Sequence, residues 1–288
     1  MDYAIVVALQ IASGVATLII VSLGLAVVFG MMRVINLAHG EFLMLGGYSA
    51  VLAYSHGVPV WLSILVVPPV VVGLIGAVVE RLLIRGLYGR MIDTMLATWG
   101  LSLALIGGVS MTLGNSVSGF SAPLGSFAIG RFHVASYDMF LVVAAIVLSA
   151  AIWVVLRFTT AGLIARGTMQ NPVMASALGV APERVYAATF TLGAALAGLA
   201  GGLIAPLSGV VPTMGTAYIA KAFITVITGG AAMLTGTLTA SVLLGSVWTV
   251  GTFLLTPVFG EVALLVVAIV LLRLLPRGIT GRFLRRAM

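Results

Sequence analysis

Long apolar stretches and short polar interruptions alternate along the whole chain. Nine apolar blocks run roughly over 4–30, 37–55, 58–79, 93–113, 137–156, 186–207, 217–235, 238–256 and 259–275. Most approach the ~20 residues a helix needs to cross about 30 Å of hydrocarbon. They are continuous rather than alternating, which disfavours a β-barrel, whose strands place apolar residues at every second position. The pattern predicts an all-α, polytopic transmembrane helical bundle of eight or nine spans, forming a single membrane domain over 1–288. The second, seventh and eighth blocks are short or rich in Gly and Thr, and are the candidates for broken or re-entrant segments.

One polar island stands apart, Thr160 to Arg184, reading TAGLIARGTMQNPVMASALGVAPER. Asn171 is a good helix N-cap, and Pro172 suits the first helical position, where its missing N–H costs nothing. Met174, Ala175, Ala177 and Leu178 would give the short helix an apolar face, and Gly179 can close it in the left-handed conformation. A connection that only joined two spans would not need a capped helix. Segment 160–185 therefore reads as an element that docks on something in the cytoplasm.

Composition narrows the class. A content of 61% hydrophobic and only 7% charged residues excludes an ordinary soluble domain. The net charge of +7 could suggest nucleic acid, but its distribution argues for topology and lipid headgroups. Arg81, Arg85 and Arg90 share one short loop, Arg157, Arg166 and Arg184 flank the polar island, and Arg273, Arg277, Arg282, Arg285 and Arg286 fill the tail. Basic clusters at span ends mark the cytoplasmic side. That places 81–92, 157–185 and the tail inside, and the loop 114–136, whose one charged residue is Arg131, outside with the N-terminus. Met1 and Asp2 supply no basic leader, so the first block is expected to be retained as a span. The chain has no cysteine, hence no disulfide or thiol chemistry.

Two Gly-rich turns interrupt the pattern at membrane depth. One runs from Asn36 through His39 and Glu41 to Phe42 and on to Gly46-Gly47-Tyr48. The other is Thr228-Gly229-Gly230, followed by Thr235-Gly236-Thr237. Interrupted segments in two halves of a transporter point to broken helices that line a pathway. Asn36, His39, Glu41, Thr228, Gly229 and Gly230 are thus the candidate translocation residues. Glu41 is the acid inside an apolar block, functional by default; the alternative is an interfacial Glu41 that pairs with Arg33 or caps a helix. His39, His56 and His133 share no metal-ligand spacing, so no metal is expected. Lys221, the single lysine, either snorkels to the interface or faces an anion. The small-residue run Gly193 to Gly202 predicts close helix packing.

Catalytic patterns are missing. There is no GxxxxGK[ST] to cradle a nucleotide, no GxSxG, and no Ser/His/Asp or Cys/His frame. The chain therefore reads as a non-enzymatic, cofactor-free transport subunit. An ion-coupled secondary transporter would want acidic relays in several spans. The shortage of such acids favours an external motor, with a secondary transporter or a channel as alternatives.

Five ordered blocks carry a family likeness. They are Val34 to Phe42 with Gly46-Gly47-Tyr48; Arg166 to Val180 with Gln170-Asn171; Ala194 to Gly202; Lys221-Ala222-Phe223 followed by Gly229-Gly230; and Leu275-Pro276-Arg277-Gly278-Ile279. Over nearly its whole length the chain resembles the permease subunits of bacterial ABC importers for branched-chain amino acids, a family that includes a urea and short-amide branch. Lys221-Ala222-Phe223 resembles the amino acid branch and Thr168 to Ala175 the urea and amide branch, so both solute classes stand. The resemblance implies an inner-membrane location, a second permease subunit (homologous or identical), two cytoplasmic ATP-binding subunits and a periplasmic solute-binding protein. It makes 160–185 the coupling loop to the ATPase. Arg166, Gln170, Asn171, Pro172, Met174, Ala175, Ala177, Leu178 and Gly179 would be the coupling residues.

Overall fold

The computed structural model describes residues 2–230 and 232–281. Arg282, Arg285 and Arg286 of the basic tail lie outside the described residues. Each apolar block falls on a helix. In chain order these are α1 (Asp2–Met32), α2 (His39–Ser55), α3 (Val60–Leu65), α4 (Val67–Val79), α5 (Met91–Leu113), α6 (Ser136–Phe158), α7 (Thr160–Gln170), α8 (Pro172–Ala177), α9 (Pro182–Ser208), α10 (Met214–Gly229), α11 (Met233–Leu254), α12 (Pro257–Leu274) and α13 (Gly278–Gly281). Among the described residues, seven helical stretches are long and apolar enough to cross a bilayer, and α10, at 16 residues, is a shorter apolar helix. The protein is a multi-pass, all-α membrane bundle. One small exception is a hairpin in the 114–136 loop, β1 (Ser126–Ile129) paired antiparallel with β2 (Phe132–Ala135).

Several boundaries differ from the sequence reading. The second break falls at 230–232, so Thr235-Gly236-Thr237 lies inside α11. The first falls at 33–38, so His39, Glu41, Gly46, Gly47 and Tyr48 all lie inside α2. Glycine marks these positions because neighbouring backbones touch there, not because the chain turns. The C-terminal end of the third block also stays helical further than expected, through a π-helical turn at Glu80–Ile84 and a 3₁₀ turn at Arg85–Leu87.

The chain divides into two compact units. The α9 unit comprises Leu23–Ser121 and Ala150–Ala220; the α11 unit comprises Met1–Ser22, Ala122–Ser149 and Lys221–Met288. In the α9 unit, α9 packs against α2 and α4 along its small-residue face. A Cβ on Gly198 would lie 2.6 Å from the Pro68 carbonyl oxygen, and one on Gly202 2.6 Å from that of Ile64. A Cβ on Gly201 would overlap the Leu43 carbonyl oxygen of α2. Phe42 and Phe190, both fully buried, meet edge-to-face at 6.0 Å beside Val28, Val72 and Ala197. In the α11 unit, Leu18, Leu244, Leu264 and Ala268 form the buried core where α11 meets α12.

Lipid tails are as apolar as leucine, so these helices gain little by hiding apolar surface from lipid and are held by backbone-to-backbone packing. Gly201→Val is expected to destabilise the chain by on the order of 3 kcal/mol through overpacking. Gly107, whose missing Cβ would meet nothing within 4 Å, is the comparator. Gly107→Ala should be neutral or mildly stabilising, as expected for a glycine in an open helix position. Thermal unfolding of both variants in detergent checks the contrast; equal melting would refute it.

Candidate functional site

The candidate translocation residues occupy two places, one in each unit. In the α9 unit, Asn36 sits in the break between α1 and α2, buried to 2% exposure. Its Oδ1 accepts from the Ala38 N–H at 3.0 Å, closing a local turn. Thr98 of α5 supports the same turn by accepting from the Leu37 N–H at 3.1 Å. The first turn of α2 then carries His39 and Glu41, both at 1% exposure. A carboxylate at a helix N-terminus is favoured by the helix dipole. Ser102 of α5 lies beside the Glu41 carboxyl, whose Oε2 finds no partner among the described residues. Arg33 is exposed and makes no ion pair with Glu41. Gly24 lets the His39 ring lie against α1, where an added Cβ would sit 3.0 Å from Cε1. Asn36, His39 and Glu41 are therefore gathered in one buried polar knot. Thr98 and Ser102, which complete it, escaped the sequence reading because hydroxyls inside a helix give no periodic signal.

Thr228, Gly229 and Gly230 belong to the α11 unit. Thr228 is buried and its hydroxyl has no partner among the described residues. Gly229 faces Gly236, where a Cβ would come within 2.5 Å of the carbonyl carbon. Gly230 lies at φ +84° against Arg277 and Gly278. The Thr280 hydroxyl of α13 donates to the Gly229 carbonyl at 2.6 Å and accepts from the Ala232 N–H at 3.1 Å. The break is thus stitched by the segment after α12, a tie no local pattern announced. Lys221, read either as snorkelling or as facing an anion, pairs with Glu261 at 2.8 Å and lies 4.4 Å from the centre of the Trp248 ring.

The polar island folds as two short helices. α7 was not anticipated; Thr159 caps it by accepting from the Gly162 N–H at 3.0 Å. α8 forms as its sequence dictates. Asn171 Oδ1 accepts from the Met174 N–H at 3.0 Å, and Pro172 opens the helix. At the other end the Val180 N–H reaches the Ala175 carbonyl and the Gly179 N–H the Ser176 carbonyl, with Gly179 at φ +84°. That double bond pattern ends a helix through a left-handed glycine. Val173 and Leu178, both at 78%, and Met174, at 58%, project outward. Gln170, Asn171, Pro172, Ala177 and Gly179 are also exposed, and Arg166 is half-buried. Ala175 departs from the predicted apolar face: at 8% exposure it turns into the chain itself. Val173, which the sequence reading left out, takes its place outside.

The adjoining helix ends are tied together. Arg85 pairs with Glu183 at the start of α9 at 2.8 Å. The Tyr88 hydroxyl donates to the buried Glu80 carboxylate. Burial, then the Glu80 carboxylate beside it, pushes the Tyr88 phenol well above the usual tyrosine range. Among the described residues, no group of His, Asp or Glu could hold a metal ion.

The family described as branched-chain amino acid transport system, permease component, matches residues 7–281. The high-affinity branched-chain amino acid transport system permease protein LivH of Salmonella typhimurium is 28% identical over 294 aligned residues, covering 93% of this chain and 92% of that one. The probable branched-chain amino acid transport permease protein LivH of Methanocaldococcus jannaschii is 29% identical, covering 92% and 88%. The high-affinity permease protein BraD of Pseudomonas aeruginosa is 27% identical, covering 93% and 92%. Among solved structures, PsaBC from Streptococcus pneumoniae in complex with Fab superposes with a TM-score of 0.51 at 15% identity, over 97% of this chain and 94% of that chain. That likeness speaks for the fold alone. With a match that runs nearly from end to end, this multi-pass membrane protein belongs to the family of branched-chain amino acid transport permeases.

Proposed function

We propose that the chain forms half of the translocation pathway of an ATP-driven importer in the bacterial inner membrane. It works by alternating access, with a second permease subunit, two cytoplasmic ATPases and a periplasmic solute-binding protein. The observation that carries this reading is α8: a helix capped at both ends whose largest apolar side chains, Val173, Met174 and Leu178, point away from the chain. Exposed apolar anchors on a short rigid helix suit a groove on a partner, the helix-in-groove mode of recognition. The chain has no nucleotide-binding loop of its own, so a motor must act on it from outside. The Arg85–Glu183 pair and the Tyr88–Glu80 bond would pass movement of that segment to α4 and α9.

Branched-chain amino acids are the favoured cargo, because the relatives above carry that description in their names. Urea and short amides remain the second reading, supported by the run Thr168 to Ala175. A pathway with few fixed charges suits either class, since a strong site would trap its ligand. Asn36, His39, Glu41 and the Thr228–Gly230 break are the proposed pathway contacts. Equilibrium binding of leucine, isoleucine, valine, urea and acetamide to the cognate periplasmic protein separates the two classes.

Leu178→Asp should insert normally yet lower solute-stimulated ATPase activity and uptake roughly tenfold or more, as for loss of an interface anchor. Wild-type uptake in that variant would remove α8 from the coupling role. Asn36→Ala and Glu41→Gln should each slow uptake in reconstituted vesicles while leaving basal ATPase activity in place. Unchanged kinetics in both would take these residues out of the pathway.

A further inference from the structure

We infer that a polar cavity within the α11 unit is a binding subsite for a small solute carrying an ammonium group on an apolar body. The cavity is an open cleft of about 450 Å³, room for a solute of several heavy atoms rather than a single water. Three helices build it. Gln10, Ser13 and Thr17 fall on one face of α1, three and four residues apart, which is the spacing that stacks side chains along a helix. Asp138 comes from the first turn of α6, and Trp248 and Phe253 from the last turns of α11. By the distribution of basic residues these helix ends are the outer ones, so the cavity lies on the side from which an imported solute arrives.

The charge pattern selects the ligand. Asp138 is half-buried, and its Oδ1 accepts from the Ser13 hydroxyl at 3.2 Å. Among the described residues no cation pairs with it; Lys221, behind Trp248, is held by Glu261 at 2.8 Å. A partly desolvated carboxylate without a counter-ion is costly, and a bound ammonium group would offset that cost through a charge-assisted hydrogen bond. The Ser13 bond fixes one oxygen and leaves Oδ2 for the ligand. The Trp248 ring, with Lys221 over it, and Phe253, tilted against Tyr3 at 5.7 Å, add apolar surface to the same lining. Thr249 and Thr252 also line this space, their hydroxyls packed toward Gly14 and Gly260. A carboxylate and aromatic rings in one lining match the amine end and aliphatic body of an amino acid. An uncharged amide would leave Asp138 unpaired. The inference rests on the transport reading for the ligand's status as cargo, but not for its binding.

The test uses the purified full-length chain in detergent and three probes of one skeleton: leucine, isopentylamine and 4-methylpentanoate. Calorimetry should register binding of the two amines and none of the amine-free acid. Asp138→Asn should weaken amine binding about tenfold or more, the scale of a lost charge-assisted bond. Ser13→Ala, which only unfastens Asp138, should weaken it less, and it decides the matter if Asp138→Asn fails to insert. Equal binding of 4-methylpentanoate, absence of amine binding, or unchanged affinity in the deciding variant overturns the subsite. Absence of amine binding to the unaltered chain alongside intact ATP-driven uptake sinks the subsite alone. Amine binding without ATP-driven uptake sinks the importer reading alone.

Discussion

Close contact between backbones is the constraint on which the α9 unit depends. In lipid no water drives apolar faces together, so helices associate by packing tightly enough to gain dispersion energy. Gly193, Gly198, Gly201 and Gly202 on α9 remove the side chains that would hold its neighbours away. α2 and α4 then rest directly on it, and the large residues Phe42 and Phe190 fill the space alongside. The burial of α2 follows from this. A helix of 17 residues, too short to span comfortably by itself, is kept at depth because both its glycines and its polar first turn have partners inside the unit.

The second constraint is the demand that every backbone group at membrane depth find a partner. The breaks around Asn36 and Gly229 meet it in part with a side chain from elsewhere in their own unit. Around Asn36 the partners are its own amide and Thr98; around Gly229 the partner is Thr280. These ties make the breaks fixed structural features on which polar residues such as His39, Glu41 and Thr228 can be displayed without unravelling the helices. In the polar island the same accounting is done locally, by caps on α7 and α8. That difference explains why α8 stands as a self-contained element with its larger apolar side chains exposed.

Sequence and structure agree best where the physics is local. Asn171, Pro172 and Gly179 act within a few residues of their own positions, so the start and end of α8 were legible from their types and spacing. The nine apolar blocks were legible for a similar reason: hydrocarbon thickness acts on each span separately. The chain itself therefore determined the class of protein, its succession of apolar helices and the caps at both ends of α8.

Tertiary structure decided everything that depends on which helices touch. Gly46 and Gly236 resemble turn glycines in the sequence, but they are contact points inside helices, since a missing Cβ serves a bend and a close approach equally well. Ala175 turned inward and Val173 outward because the rest of the α9 unit, not the pattern of α8, sets which face is covered. Ser102 joined Glu41, Thr280 joined Gly229, Glu261 joined Lys221, and Ser13 joined Asp138, the last across 125 positions of sequence. Hydrogen bonds and ion pairs act over about 3 Å in space, and no spacing rule along the chain encodes which distant residue folding will bring to that distance.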